Sequence, residues 1–368
     1  MNEMFKNIGS IEQGIIEKVY SDEPITIEEG IYLFENSDFS FCAFLADKIR
    51  NKKFGKKTFY NKNIHVEISN RCVNKCKFCS FYREKGMPDC WDLEISDVLK
   101  ILNSKKDEKL TEIHITGGLH PEKFTKFYCD LFVEIKIHFP KIHIKAFTAV
   151  EIEYFAKKDK MSITDTLKIL KDSGLNSLAG GGAEILDDNI RSKICPEKTN
   201  SETWLNVHKT AHNLGLSSNC TMLYGHIEKL EDRILHMARI RDLQNITGGF
   251  NCFIPLKYKT YGNRLNIENE ISLMEELKTY SIARIFLNNI PHIKAYWPMN
   301  GKENAALSLS FGVDDMDGTI SDSTKIYSMA GSSEQKPEMT EPQMRNLIES
   351  HGFQPVERDS EYNQLAVI

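Results

Sequence analysis

Of the nine cysteines in this chain, Cys72, Cys76 and Cys79 crowd onto one short stretch. Thiolates are metal ligands and nucleophiles. The spacing, three residues and then two, lets three irons of a cubane take one thiolate each and leaves the fourth iron without a protein ligand. An open metal position is what separates catalytic from structural metal sites. The same spacing is also half of a zinc site, with Cys90 next in line as a fourth ligand, although no Cys/His pair of standard zinc spacing lies nearby. Glycine and carboxylate signals follow downstream. Gly117 and Gly118 form a turn motif. Gly180, Gly181 and Gly182 run into Glu184, with Arg191 seven residues on. The stretch Thr221-Met-Leu223-Tyr-Gly225-His226-Ile-Glu228 ends in a further glycine and glutamate. Glycines permit close backbone approach. A carboxylate and a guanidinium can bind ribose hydroxyls, an amine or a carboxylate, and they can equally be an ion pair on a helix face.

These groups need elements to position them. From Asn63 to about residue 315, short apolar runs alternate with longer amphipathic ones. Strands are expected at 65–68, 112–115, 143–147, 177–179, 219–223, 249–254, 283–287 and 307–311. Helices are expected at 163–173, 201–214 and 231–245. Alternation of this kind implies parallel strands with helical crossovers. Eight strands close a (β/α)8 TIM-type barrel and six leave a partial one; the spacing favours eight. The cysteine loop then follows the first strand, on the face where barrels build active sites. The expected organisation is an N-terminal helical extension (1–60), the barrel (61–315) and a C-terminal extension (316–368) with one helix near 341–350. The lysines at 52–57 read as a solvated loop. The acidic run Asp314-Asp315-Met316-Asp317-Gly318 lacks the end ligands of a calcium loop and is placed on the top face of the barrel. Cys220 and Cys252 fall inside strands as small buried hydrophobes.

Composition narrows the function classes. A net charge of −5 gives no basic field for nucleic acid. No stretch approaches the ~20 apolar residues of a membrane span. A basic segment leading into an apolar one is missing from the first residues. A cytoplasmic protein with free thiols and metal ligands is expected, without a disulfide framework.

The motif Cys72-x3-Cys76-x-Phe78-Cys79 resembles the signature of the radical S-adenosylmethionine (SAM) superfamily. That resemblance implies a [4Fe-4S] cluster on the three cysteines. Its open iron chelates the amino and carboxylate groups of SAM, which an electron then cleaves to methionine and a 5′-deoxyadenosyl radical. It further implies that Phe78 lies near the adenine, that Gly117 and Gly118 receive the methionine end, and that Glu184 and Arg191 hold the polar groups of SAM. Leu223 and Gly225 are implied beside the adenine. Thr221 replaces the first glycine of that element, and Leu119-His120-Pro121 stands where many members carry an acid. Longer stretches, GGLHP, AFTAVEI, GGGAEIL, KICPEKT, TMLYGHIE and NIPHIKAYW, resemble the aminofutalosine synthase family of the futalosine route to menaquinone. Cyclases acting on dehypoxanthine futalosine and the two-part deazaflavin synthases share part of the pattern. The implied reaction is a transfer: the adenosyl radical adds to 3-[(1-carboxyvinyl)oxy]benzoate, and 6-amino-6-deoxyfutalosine, methionine and bicarbonate or carbon dioxide result. SAM is then a co-substrate, and a flavodoxin or ferredoxin is the implied electron donor. The two carboxylates of the substrate require donors, for which His120, His226, His292 and Lys294 on strand-end loops are the candidates. No catalytic group beyond the cluster is assigned.

Overall fold

The computed structural model describes residues 9–320 and 325–365. Among these described residues ten strands are formed: β1 (Lys57–Asn61), β2 (Asn63–Glu67), β3 (Glu112–Thr116), β4 (His143–Ala146), β5 (Ser177–Leu178), β6 (Ser217–Tyr224), β7 (Phe250–Lys257), β8 (His292–Ile293), β9 (Asp315–Gly318) and β10 (Gln354–Glu357). Strands β2 to β8 make one parallel sheet in chain order, with helices in the crossovers. β9, β1 and β10 make a second parallel sheet, joined to the first by a bridge between Lys294 and Asp315. The large sheet curls, and β9 of the second sheet touches both of its ends, bridging to Lys294 after β8 and meeting β2 through side chains. Asn63 Oδ1 on β2 accepts a bond from the Ile320 amide just after β9, and His65 on β2 faces Asp317 on β9 at 3.6 Å. The architecture is α/β and TIM-type, a curled half-barrel of seven parallel strands whose end strands, β2 and β8, do not pair with each other.

The expected first six strands are present. The last two expected strands are not strands. Residues 283–287 complete the helix Leu273–Phe286 and its cap. That helix packs on the sheet and on the N-terminal helices, so its residues from Thr279 to Phe286 are all buried. A helix buried all round shows no polar stripe, and its apolar run cannot be told from a strand. Residues 308–311 form a 3-10 turn whose Leu/Ser alternation imitates a strand. β8 takes the vacant position with only two residues, directly after Pro291.

Two surface readings are also corrected. Lys52 and Lys53 lie in the last turn of the helix Phe39–Phe54, where cations favour the helix dipole, and Lys57 opens β1. The acidic run does not form a loop on the top face. It is β9 and its approach, and each carboxylate meets a cation: Asp314 pairs with Arg284 and His292, Asp315 with Arg358, and Asp317 with Lys294. The tail is stitched into the fold through β10, which pairs with β1 in parallel. Among the described residues no helix is long and apolar enough to cross a membrane.

Candidate active site

The cysteine loop leaves β2 at Ile68 and is held from several sides. Ser69 Oγ donates to Asp92 at 2.5 Å and lies 2.9 Å from the Trp91 carbonyl. Arg71 pairs with Asp92 at 2.9 Å, and the Trp91 indole donates to the Glu67 carbonyl. The Lys77 amide donates to the Ile194 carbonyl, and Arg264 donates to the carbonyls of Lys75 and Lys77. A loop pinned at this many points presents its side chains in one geometry.

The glycine turn after β3 serves this loop. Gly118 donates to the Ser69 carbonyl at 2.7 Å. A Cβ on Gly118 would stand 2.2 Å from the Arg71 carbonyl oxygen. The turn therefore needs glycine for its approach to the cysteine loop itself. On the next residue, the Leu119 amide points at Cys72 Sγ at 3.3 Å, an N–H···S contact of the kind that tunes iron–sulfur centres.

A cavity of about 280 Å³ opens at the carboxyl ends of the strands. Cys72, Cys76 and Cys79 line it, with Phe78, Gly117, Gly118 and Glu184. All three cysteines are free thiols, and burial pushes the thiols of Cys72 and Cys76 up. Among the described residues, no three or more His, Cys, Asp or Glu side chains are close enough to hold one ion. A cubane asks for less crowding, since each thiolate takes its own iron. Three thiols on one cavity wall, with a backbone amide aimed at one sulfur, fit a cluster of this kind. Cys90 does not line the cavity.

The remaining expected site residues lie elsewhere. Arg191 spends its N–H groups on backbone carbonyls: Thr199 at 3.1 Å, Gly182 at 3.2 and 3.3 Å, and Ala183. It shapes the turn that carries Glu184 and does not line the cavity. His120 accepts from the amides of Glu122 and Lys123 at 3.0 Å each, and faces Asp92. His226 donates to the Leu223 carbonyl and accepts from the Ile227 amide. Glu228 ties the amides of Gly225 and His226 to Arg233. Leu223 and Gly225 stand behind the wall, the Leu223 amide bonding to the Glu184 carbonyl. His292 lies below the cavity, bound to Asp314 at 2.5 Å and stacked on Tyr362. Lys294 is buried against Asp317 at 2.6 Å.

In their place the cavity gathers groups from distant parts of the chain. Lys198 bonds Glu184 at 2.5 Å and lies over the Phe78 ring. Burial opposes its charge, but Glu184, Cys76 and Cys195 outweigh burial and hold the ammonium above its ordinary range. Glu151 caps the helix Ala149–Asp159, accepting from Thr148. Burial pushes its carboxyl up to about 7, against bonds from Thr148 and the Gly117 amide. His65, Glu67, His114 and Tyr296 complete the inner wall. The alternation Asn63-x-His65-x-Glu67 and Glu112-x-His114-x-Thr116 was the available signal: polar residues at every second position of two neighbouring strands are out of place in an ordinary barrel core.

Residues 66–240 match the Radical SAM superfamily, and residues 247–368 match the CofH/MqnC C-terminal region. Over 96% of this chain and 95% of the relative, the sequence is 40% identical to aminodeoxyfutalosine synthase of Thermus thermophilus. The chain belongs to the radical SAM superfamily. A second aminodeoxyfutalosine synthase, from Streptomyces coelicolor, is 39% identical over 96% of this chain and 94% of its own length. Cyclic dehypoxanthine futalosine synthase of the same organism is 33% identical over 96% of this chain and 89% of its own. Among solved structures, methylornithine synthase superposes with a TM-score of 0.75 at 18% identity, covering 93% of this chain and 97% of its own. That likeness shows a shared fold. Membership implies a [4Fe-4S] cluster and SAM, and the cavity bearing Cys72, Cys76 and Cys79 suits both.

Proposed function

We propose that this chain is an aminodeoxyfutalosine synthase. It would join the adenosyl group of SAM to 3-[(1-carboxyvinyl)oxy]benzoate, giving 6-amino-6-deoxyfutalosine, methionine and bicarbonate or carbon dioxide. The observation that carries the reading is the 40% identity to such an enzyme, spread over 96% of the chain and so including every strand that walls the cavity.

In this reading Cys72, Cys76 and Cys79 hold the cluster, which when bound supplies the electron that cleaves SAM. The residues around it bind and orient. Lys198 is the cation offered to the methionyl carboxylate, and Glu184 the acceptor for the amine. Phe78 provides a flat wall for the adenine. Phe81, Ile254 and Leu256 line the same cavity and exclude water, which protects a reactive carbon from side reactions. Orientation does most of the remaining work, since the cofactor carries the hard chemistry. A flavodoxin or ferredoxin is the proposed electron donor, and the cytoplasm the proposed compartment.

The test is incubation of the reconstituted protein with SAM, dithionite and the enolpyruvyl benzoate in the absence of oxygen, read by mass spectrometry. A product containing both adenine and benzoate is expected. Turnover of dehypoxanthine futalosine in place of the benzoate would transfer the chain to the cyclase branch.

A further inference from the structure

The inner faces of β2 and β3 pair residue for residue, so His65 stands beside His114. Their rings meet edge to face with centroids 4.5 Å apart. Hydrogen bonds fix the tautomers, assigned here from the network. Asn63 Oδ1 accepts from the Ile320 amide at 3.0 Å, which turns its Nδ2 toward His65 Nε2 at 3.2 Å. His65 Nε2 is therefore an acceptor. Its ring proton sits on Nδ1 and is donated to the Tyr296 hydroxyl at 3.1 Å. His114 Nδ1 faces the same His65 Nε2 at 3.4 Å, so the His114 proton also sits on Nδ1. His114 Nε2 is left as a bare lone pair. It is buried, has no hydrogen-bond partner, and belongs to a side chain that lines the cavity.

Both cations facing this pair are already matched by carboxylates. Glu112 on β3 is paired with Lys145 on β4 at 2.6 Å. Lys294, just after β8, is paired with Asp317 Oδ1 on β9, and the other oxygen of Asp317 lies 3.6 Å from His65 Nε2. Glu67 is the next inward carboxylate on β2. Burial holds both imidazoles below their ordinary range, His114 well below it. Both are neutral at pH 7. Two neutral rings beside two already matched cations and the further carboxylate of Glu67 cannot receive a carboxylate by charge alone, and a lone pair would repel it. A proton must arrive with the acid.

We propose that His114 selects the acidic substrate: its Nε2 receives one carboxyl group of the aromatic acid together with one proton from solution, forming an imidazolium–carboxylate pair backed by His65 and Tyr296. The inference rests on the substrate class proposed above and names the residue that recognises its acid. Because the complex holds one more proton than the free site, binding weakens as pH rises, by about tenfold per pH unit at the steepest.

The test is calorimetric titration of the SAM-loaded, oxidised holoenzyme with 3-(carboxymethoxy)benzoate, a saturated analogue that cannot accept a radical. Titration in buffers of different ionisation heat at one pH counts protons. Uptake of one proton per analogue bound is expected. His114→Gln is expected to bind the analogue about tenfold or more weakly with no uptake, while keeping normal SAM affinity and cluster content. Wild-type binding with no proton taken up would overturn the role of His114 and leave the substrate reading intact. Uptake of one proton by His114→Gln would also overturn it, passing the proton to Glu67 or Glu151. Failure of the analogue to bind an enzyme that binds SAM normally would overturn the aromatic-acid reading itself.

Discussion

The three cysteines and the charge beside them carry the sharpest expectations. Cys72→Ala, Cys76→Ala and Cys79→Ala should each assemble no complete cluster, seen as loss of iron, sulfide and the visible absorption band. A single variant with full iron content and normal turnover would refute the ligand set. Lys198 and Arg191 should separate in behaviour. Lys198→Met removes a charge offered to the cavity and should weaken SAM binding by roughly 1.5–3 kcal/mol, the worth of a charged hydrogen bond. Arg191→Ala strips donors from buried carbonyls and should lower the unfolding midpoint before it touches SAM affinity. Equal losses of SAM affinity in stable variants of both would return Arg191 to the binding site. The cysteines were legible in sequence because ligand spacing on one loop is local. His65 and His114 showed only as polar residues at every second position of β2 and β3, and Lys198 not at all, because a loop far along the chain brings it to the same wall. Arg191 was legible as a charge near Glu184, but only the fold shows that neighbouring carbonyls consume it.

At the scale of elements, the Gly117–Gly118 turn couples β3 to the cysteine loop. Gly118→Ala would drive a Cβ into the Arg71 backbone. Overpacking of this sort costs about 1–3 kcal/mol, and here the strain falls on Cys72. Reduced cluster retention at a modest stability loss is expected, measured as iron release during mild heating. The helix Ala149–Asp159 is tied to the same turn by Glu151. Its carboxyl is raised to about 7 in the folded chain, against about 4.3 in an unfolded one. The stability tied to its bound proton is complete below the unfolded value and disappears as pH rises through 7. Glu151→Gln removes that dependence, so the variant should gain on the parent by up to about 3 kcal/mol between pH 4.5 and pH 8. Parallel denaturation curves across that window would contradict the assignment. The strands that could be read from sequence, such as 112–115 and 219–223, are β-rich runs between helices with visible polar faces. β8 and β9 could not. One has two residues, and the other is Asp-Met-Asp-Gly, a composition that strands avoid and that ion pairs with Arg358 and Lys294 make tenable.

Across the molecule, the tail and the sheet are one structure. Arg358, just beyond β10, is fully buried and bonds Asp315 on β9 at 2.6 Å. Arg358→Met would strand a buried carboxylate and should cost about 3–5 kcal/mol, read as a shift in the urea midpoint. Pairing it with Asp315→Leu should recover part of that loss. The sequence pattern marked the barrel and its crossovers. It did not reveal that the C-terminal segment joins the second sheet, because parallel pairing between β1 and β10 has no local signal. The central claim concerns where carbon goes. If the cavity turns the adenosyl carbon onto an alkene, carbon-5′ of SAM must end in the product. If it serves hydrogen abstraction, that carbon must end in 5′-deoxyadenosine. SAM labelled in its adenosyl group, supplied with the enolpyruvyl benzoate under reducing, oxygen-free conditions, measures the partition. The account predicts label chiefly in a compound bearing both adenine and benzoate, formed at the same rate as methionine. Label almost wholly in 5′-deoxyadenosine would contradict it.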